Sequence, residues 1–241
     1  MMAMNRRCWI VGAGAALAAP GAAPAARAAE GKAVYDYIFL DLEAPKGTPP
    51  TRPYAERVKA RLPAIEAAGG EVLGLFTPQI GWTARQAALL VRWPENARPR
   101  ESEIQALSAG SGVRAAQRSR LTPTLRPNDA ARPEPGGIHV HRWFVVETGD
   151  VPEFLQLSGQ GWTDFERKFD ARIFGLFAAE RSAADTREGV QRILLITRYG
   201  DHGVWEKSRD PSTEAMAAFR RRSEITRDTW NDSTLLVPIG T

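Results

Sequence analysis

The sequence holds a single cysteine, Cys8, among 241 residues. With no second cysteine there is no intramolecular disulfide. Once the N-terminal segment containing Cys8 is set aside there is also no thiolate nucleophile and no cysteine-ligated metal. Histidine is scarce as well, with His139, His141 and His202 the whole complement. None of the three falls in the helical stretches of the second half, which argues against a haem held by a helix histidine. Long apolar runs are missing too. Residues 8–19 are built mostly of Ala and Gly, short of the ~20 residues a spanning helix needs. Gly12-Ala13-Gly14 has neither a preceding strand nor a following acid at dinucleotide spacing, and no nucleophile-elbow signature occurs. Ser158-Gly159-Gln160-Gly161 reads as a loosened helix rather than a phosphate loop. No motif declares a reaction.

Residues 1–28 have the layout of an export signal: the charged start Asn5-Arg6-Arg7, a weakly hydrophobic centre, and Ala26-Arg27-Ala28 as a cleavage site ending at Ala28. The adjacent arginines and a further Arg near the cleavage site predict a twin-arginine (Tat) leader recognised by the Tat export machinery. The expected location is periplasmic or otherwise exported from a bacterial cell, without stable membrane insertion after cleavage. Removing Arg6, Arg7 and Arg27 lowers the formal charge from +4 to +1. A near-neutral chain without a concentrated basic face predicts no nucleic-acid partner. Arg220-Arg221-Arg222 is read as the solvated side of a helix.

The remaining ~210 residues carry an internal repeat and are long enough for two small units. Gly175-Leu176-Phe177 echoes Gly74-Leu75-Phe76, and Leu195-Ile196-Thr197-Arg198-Tyr199 echoes Leu89-Leu90-Val91-Arg92-Trp93. The offset between copies is 104 from Glu43 to Glu147 and 106 from Arg92 to Arg198. In the first unit, residues 29–127, strands are expected at 35–42, 71–80 and 87–93. Thr51 caps a helix kinked by Pro63 and stopped by Gly69-Gly70, a polar helical region covers 99–119, and a short strand covers 121–127. Residues 128–137, rich in Pro and Gly, form a linker. The second unit, residues 138–241, begins with a strand at 138–147 and a helix opened by a capping box of Asp150 and Glu153. Strands at 173–180 and 190–199 follow, then a helix opened by Asp210-Pro211 and a last strand at 233–239. The class is α+β, with two tandem ferredoxin-like βαββαβ units. Each leaves one sheet face apolar and uncovered, and pressing the two faces together makes a barrel-like core.

Val72-Leu73-Gly74-Leu75-Phe76, the strand ending Arg92-Trp93, and Arg198-Tyr199 followed by Val204-Trp205-Glu206-Lys207-Ser208-Arg209-Asp210-Pro211 resemble the NIPSNAP family of the dimeric α+β barrel superfamily. So do Leu125-Arg126-Pro127 and Leu236-Val237-Pro238 as unit-closing strands. The resemblance spans residues 34–239 and implies the barrel fold. It lends no agreed enzymatic activity, and the leader departs from the mitochondrial members.

Strand alternation places Tyr35, Tyr37, Phe39 and Asp41 on one face of the first strand and His139, His141 and Trp143 on the matching face of its counterpart. This face is expected to line the barrel, giving a small-ligand site of Tyr35, Tyr37, Asp41, His139, His141 and Trp143. His139, His141 and Asp41 have the composition of a two-histidine, one-carboxylate metal site. Two buried histidines satisfied by neighbours is the preferred reading, so no metal and no cofactor is expected. His202 lies in a turn, on the surface or at a rim. The expected function is binding of a small aromatic or apolar ligand or of a protein partner, without catalysis. The alternatives are a cofactor-independent monooxygenase or isomerase with His139, His141 or Asp41 as base, and a filled scaffold. Homodimerisation stays open.

Overall fold

The computed structural model describes residues 33–97, 100–128 and 131–239. The leader expected over residues 1–28 lies outside them. Two βαββαβ units follow one another. The first is β1 (Ala33–Leu42), α1 (Thr51–Ala67), β2 (Glu71–Ile80), β3 (Gln86–Pro94), α2 (Arg100–Ser108) and β4 (Val113–Arg126). The second is β5 (Ile138–Glu147), α3 (Val151–Lys168), β6 (Ala171–Ala179), α4 (Ala183–Glu188), β7 (Val190–Tyr199), α5 (His202–Lys207), α6 (Glu214–Glu224) and β8 (Thr226–Val237). The strands close into one antiparallel barrel in the order β1-β3-β2-β8-β5-β7-β6-β4. Each unit contributes four neighbouring strands, and the seams are β2 with β8 and β4 with β6.

Strand alternation sorts the side chains into three layers. Ile38, Leu40 and Leu42 point outward and pack with Tyr54, Val58 and Ile65 of α1 and Ile104 and Leu107 of α2. Val140, Phe144 and Val146 do the same against Phe154, Trp162 and Phe165 of α3. The inward residues Tyr35, Tyr37, Phe76, Leu90, Phe177, Leu194 and Ile196 fill the barrel. The division of faces expected for β1 and β5 therefore holds.

Several boundaries differ from expectation. Pro50, not Thr51, occupies the N-cap of α1, with no side-chain cap, and the helix runs on through Pro63. Asp150 precedes α3 but makes no capping bond, and α6 is capped by Thr213 rather than opened at Asp210. The polar helix ends at Ser108, and β4 starts at Val113. β8 likewise begins at Thr226. β8 begins with the polar run Thr226-Arg227-Asp228-Thr229 and β4 with Val113-Arg114-Ala115-Ala116-Gln117, so the apolar alternation that marks a half-buried strand is missing in both. α3 also passes unbroken through Gly159 and Gly161. Gly161 is a packing requirement, because a Cβ there would lie 2.8 Å from the Phe219 ring Cζ on α6. Gly161→Ala is expected to destabilise the fold by about 1–3 kcal/mol, read as a lowered urea midpoint. An unchanged midpoint would mean that α3 and α6 can separate without loss.

Candidate functional site

Strands β1 and β5 stand across the barrel from each other, four places apart in the closed order of eight. Residues 37 and 141 occupy equivalent positions in the two units, 104 apart, and they meet in the interior: Tyr37 Oη lies 2.8 Å from His141 Nδ1. The neighbouring bonds fix the proton positions. Thr234 on β8 donates its hydroxyl proton to the His139 carbonyl at 2.9 Å, so at 3.4 Å from His141 Nε2 its oxygen can only accept. His141 is therefore the Nε2–H tautomer, and its bare Nδ1 accepts from Tyr37. His139 donates from Nε2 to the Glu134 carbonyl at 3.0 Å. Both rings are fully buried. Burial holds His141 well below the ordinary imidazole range and pushes His139 down to about 4, against the smaller opposing effect of the Glu134 carbonyl. Both are neutral at physiological pH.

Above this layer the barrel opens into a cavity of about 660 Å³. Its walls are aromatic: Tyr37 and Phe39 from β1, Trp143 from β5, Trp230 from β8, and Trp82 from the turn between β2 and β3. Trp143 stacks on Trp230 at 6.2 Å between centroids and meets Tyr37 edge-on at 5.8 Å. Trp82 meets Phe39 at 5.2 Å and His141 at 5.4 Å, both edge-on. Among these rings sits one carboxyl group, Asp232 of β8. Burial raises its pKa, partly offset by a hydrogen bond from the Trp82 indole. Gly81 makes that contact feasible: at φ +105° it brings the turn so close to Asp232 that a Cβ would collide with the carboxylate.

Strand β4 faces β8 across the barrel, again four places away. It brings Arg118 and Arg120 to the cavity, while Arg181 and Arg192 arrive from around α4. Arg118 is committed to buried Asp36 at 2.6 Å and to Glu101 at 2.5 Å, and Arg192 to Asp185 at 2.8 Å. Ser182 and Asp185 cap α4 reciprocally, fixing this rim. Arg120 stands opposite the outward-facing Asp36 in the β1–β4 register and acts on that carboxylate. Arg181, which forms no carboxylate ion pair among the described residues, is the cation of this edge available to a ligand. The cavity thus combines stacking surfaces, the half-buried carboxyl group of Asp232 and a charged edge in which arginines outnumber Glu180 and Asp185.

Of the six residues expected to bind ligand, Tyr37 and Trp143 line this cavity. Tyr35 lies deeper, fully buried, with its ring 5.0 Å from that of Phe177. His141 lies beneath the cavity, its ring 5.4 Å from that of Trp82, and His139 lies two residues deeper on β5, bonded to the Glu134 carbonyl; neither lines the opening. Asp41 does not join them: it pairs with Arg114 at 3.0 Å and Arg85 at 3.5 Å. The two-histidine, one-carboxylate set is therefore not assembled, and no group of three His, Cys, Asp or Glu among the described residues is placed to hold a metal. Neither His141, whose lone pair is engaged by Tyr37, nor Asp41 is placed as a base for this cavity. His202, expected in a turn outside the helices, instead begins the short helix α5, which Asp201 caps, and bonds Ser233 at 3.1 Å. Trp82, Trp230 and Asp232 were not expected. Trp230 and Asp232 do stand two apart, the spacing of a shared strand face, but the strand was expected to start after them.

The sequence matches no protein-family model and no curated protein. Among solved structures it is similar to a protein from Lactobacillus acidophilus NCFM described as a candidate monooxygenase, with TM-score 0.53 and 11% identity over 85% of this chain and 94% of that one. It is also similar to an anthrone oxidase-like protein, with TM-score 0.55 and 14% identity over 87% and 93% of the two chains. A mutant chlorite dismutase from Candidatus Nitrospira defluvii gives TM-score 0.57 and 9% identity over 87% and 93%. The chain has the dimeric α+β barrel fold. In this barrel both halves come from one chain, so the two equivalent positions on the pseudo-axis carry different residues, Tyr37 and His141.

Proposed function

We propose that this barrel binds a planar polycyclic aromatic ligand bearing a hydroxyl group in the cavity beneath Trp82. The observation that carries the reading is the ring of Trp82, Trp143, Trp230, Tyr37 and Phe39 around the half-buried carboxyl group of Asp232. Aromatic walls reward a flat apolar ligand through stacking. Asp232, whose pKa burial raises, offers a hydrogen-bonding partner to a ligand hydroxyl, and Arg181 at the rim favours a developing or resident negative charge. A cavity of about 660 Å³ falls within the usual range for small-molecule sites. A thermal-shift panel of hydroxylated polycyclic aromatics tests the reading. At a hundredfold excess over Kd the melting temperature is expected to rise by about 5–10 °C. Trp82→Ala and Trp230→Ala should each abolish most of that rise. No shift with any member of the panel would leave the filled scaffold as the better account.

Asp232 supports a second reading, cofactor-independent oxygenation or isomerisation, in which its carboxylate takes a proton from the bound aromatic and the arginine edge stabilises the resulting anion. Proteins of this fold described as monooxygenase- and anthrone oxidase-like favour giving that reading a test. Asp232→Asn is the discriminating variant: retained binding with turnover lost would establish the enzyme, and binding with no turnover in either protein would establish a carrier. The exported location and NIPSNAP-type kinship belong to the same proposal and rest on the residues of the leader and of the repeat. N-terminal sequencing of periplasmic protein beginning at Ala29 would support export. Retention of the uncleaved chain inside the cell would oppose it.

A further inference from the structure

On the outer face of the second unit, on the other side of the sheet from the aromatic mouth, α3 and α6 cover a cavity of about 150 Å³. Its lining includes Arg142, Arg209, Arg220 and Arg222 and not one Asp or Glu. Arg222 was expected on the solvated side of a helix, yet it is 4% exposed. Its guanidinium lies over the rings of Phe219 at 4.6 Å, Phe144 at 4.8 Å and Phe154 at 5.4 Å. Among the described residues the guanidinium makes one hydrogen bond, from Nη1 to the Ser158 hydroxyl at 3.1 Å, a neutral acceptor. The Arg222 Nε–H and the indole N–H groups of Trp162 and Trp205, all from residues of the same lining, are buried without a protein acceptor among the described residues.

Electrostatics point the same way. Burial, reinforced by the charge of Arg142, pushes Arg222 down to about 9, so it is still protonated at neutral pH. Burial lowers Arg142 as well, and Arg209 adds repulsion. Tyr199, raised by burial, feels the attraction of Arg142, Arg209 and Arg222 together. Buried cations are ordinarily matched by a carboxylate, since an unmatched one carries a large desolvation penalty. Here the described residues supply donors from several directions and no carboxylate.

We propose that this cavity is the binding site for one small organic carboxylate, held by Arg142 and Arg222 with the Trp205 indole N–H, its apolar body against Phe165 and Phe219. The volume is roughly five times the ~30 Å³ share of one liquid water, which limits the ligand to a single small ring or a short chain. The phenyl walls favour such a molecule over a fully hydrated inorganic oxyanion, and the fork geometry of arginine suits a carboxylate.

Isothermal titration of the full chain with sodium benzoate tests this, with sodium sulfate and sodium chloride at matched ionic strength as the other arms. One-to-one binding of benzoate is expected, at least tenfold tighter than sulfate, with no saturable heat from chloride. Arg222→Met and Arg142→Gln should each weaken benzoate at least tenfold, whereas Trp82→Ala, at the barrel mouth, should leave it unchanged. If Arg222→Met does not fold, the half-buried Arg142 carries the test alone. Absence of benzoate binding, equal affinity in Arg142→Gln, sulfate binding as tightly as benzoate, or loss of binding in Trp82→Ala would each overturn the proposal.

Discussion

Acidification from pH 7 to pH 4.5 is expected to remove about 2.5 kcal/mol of stability through His139 alone. The folded chain holds this imidazole down to about 4 because it is buried, whereas the unfolded chain titrates it near 6.5. Between those values the unfolded state takes up a proton that the folded state refuses. The stabilisation is therefore complete above about pH 7 and is lost as pH falls toward 4. His141, held still lower by burial, acts in the same direction. Asp36 and Asp232, whose pKa values burial raises, are protonated earlier in the folded state and offset part of the loss. Comparison with a variant isolates the histidine. His139→Gln should lose about 2.5 kcal/mol less than wild type between the two pH values, measured as urea unfolding free energies. An equal loss in both proteins would mean that His139 gains solvent access before the chain unfolds.

A second large effect is expected at Asp36, on the outward face of β1. Its carboxylate is fully buried, with Arg118 Nε at 2.6 Å and Arg100 Nε at 4.0 Å. Arg118 has a second partner in Glu101 at 2.5 Å and is partly exposed, so it can survive the loss of Asp36. Arg100 is 6% exposed, and its other carboxylate, Glu101, is 3.8 Å away. Asp36→Leu strands that guanidinium and should destabilise the protein by about 3–5 kcal/mol. The double variant Asp36→Leu, Arg100→Leu should recover most of the loss, because replacing both members of a buried pair by apolar groups is often close to neutral. A double variant no better than the single one would show that packing around Asp36, rather than the charge pair, sets the effect.

The barrel interior was legible because alternation on β1 and β5 is strict and both strands are apolar on their helix-facing side. Aligning the repeats at Glu43 and Glu147 places Tyr37 opposite His141, and those two residues do meet. What escaped lies on strands lacking that alternation. Trp230 and Asp232 stand in Thr229-Trp230-Asn231-Asp232, whose polar residues are tolerated because that part of β8 edges an open cavity rather than a packed core. Trp82 reaches the cavity only through the conformation of the Gly81 turn, a tertiary effect that no spacing announces. Arg222 misled for a related reason. A triple-arginine run reads as solvent-facing, and only the approach of α3, Phe144 and Phe154 buries its third member. Asp41 shares a strand face with Tyr37, but arginines from the turn before β3 and from β4 take its carboxylate first.

The most direct test of the central claim is the structure of the complex with the aromatic that gives the largest thermal shift. The account predicts the ligand between Trp82 and the Trp143–Trp230 stack, with its polar group against Asp232 and its edge toward Arg181. A ligand bound elsewhere, with the mouth of the barrel empty of it, would contradict the assignment of this cavity as the functional site.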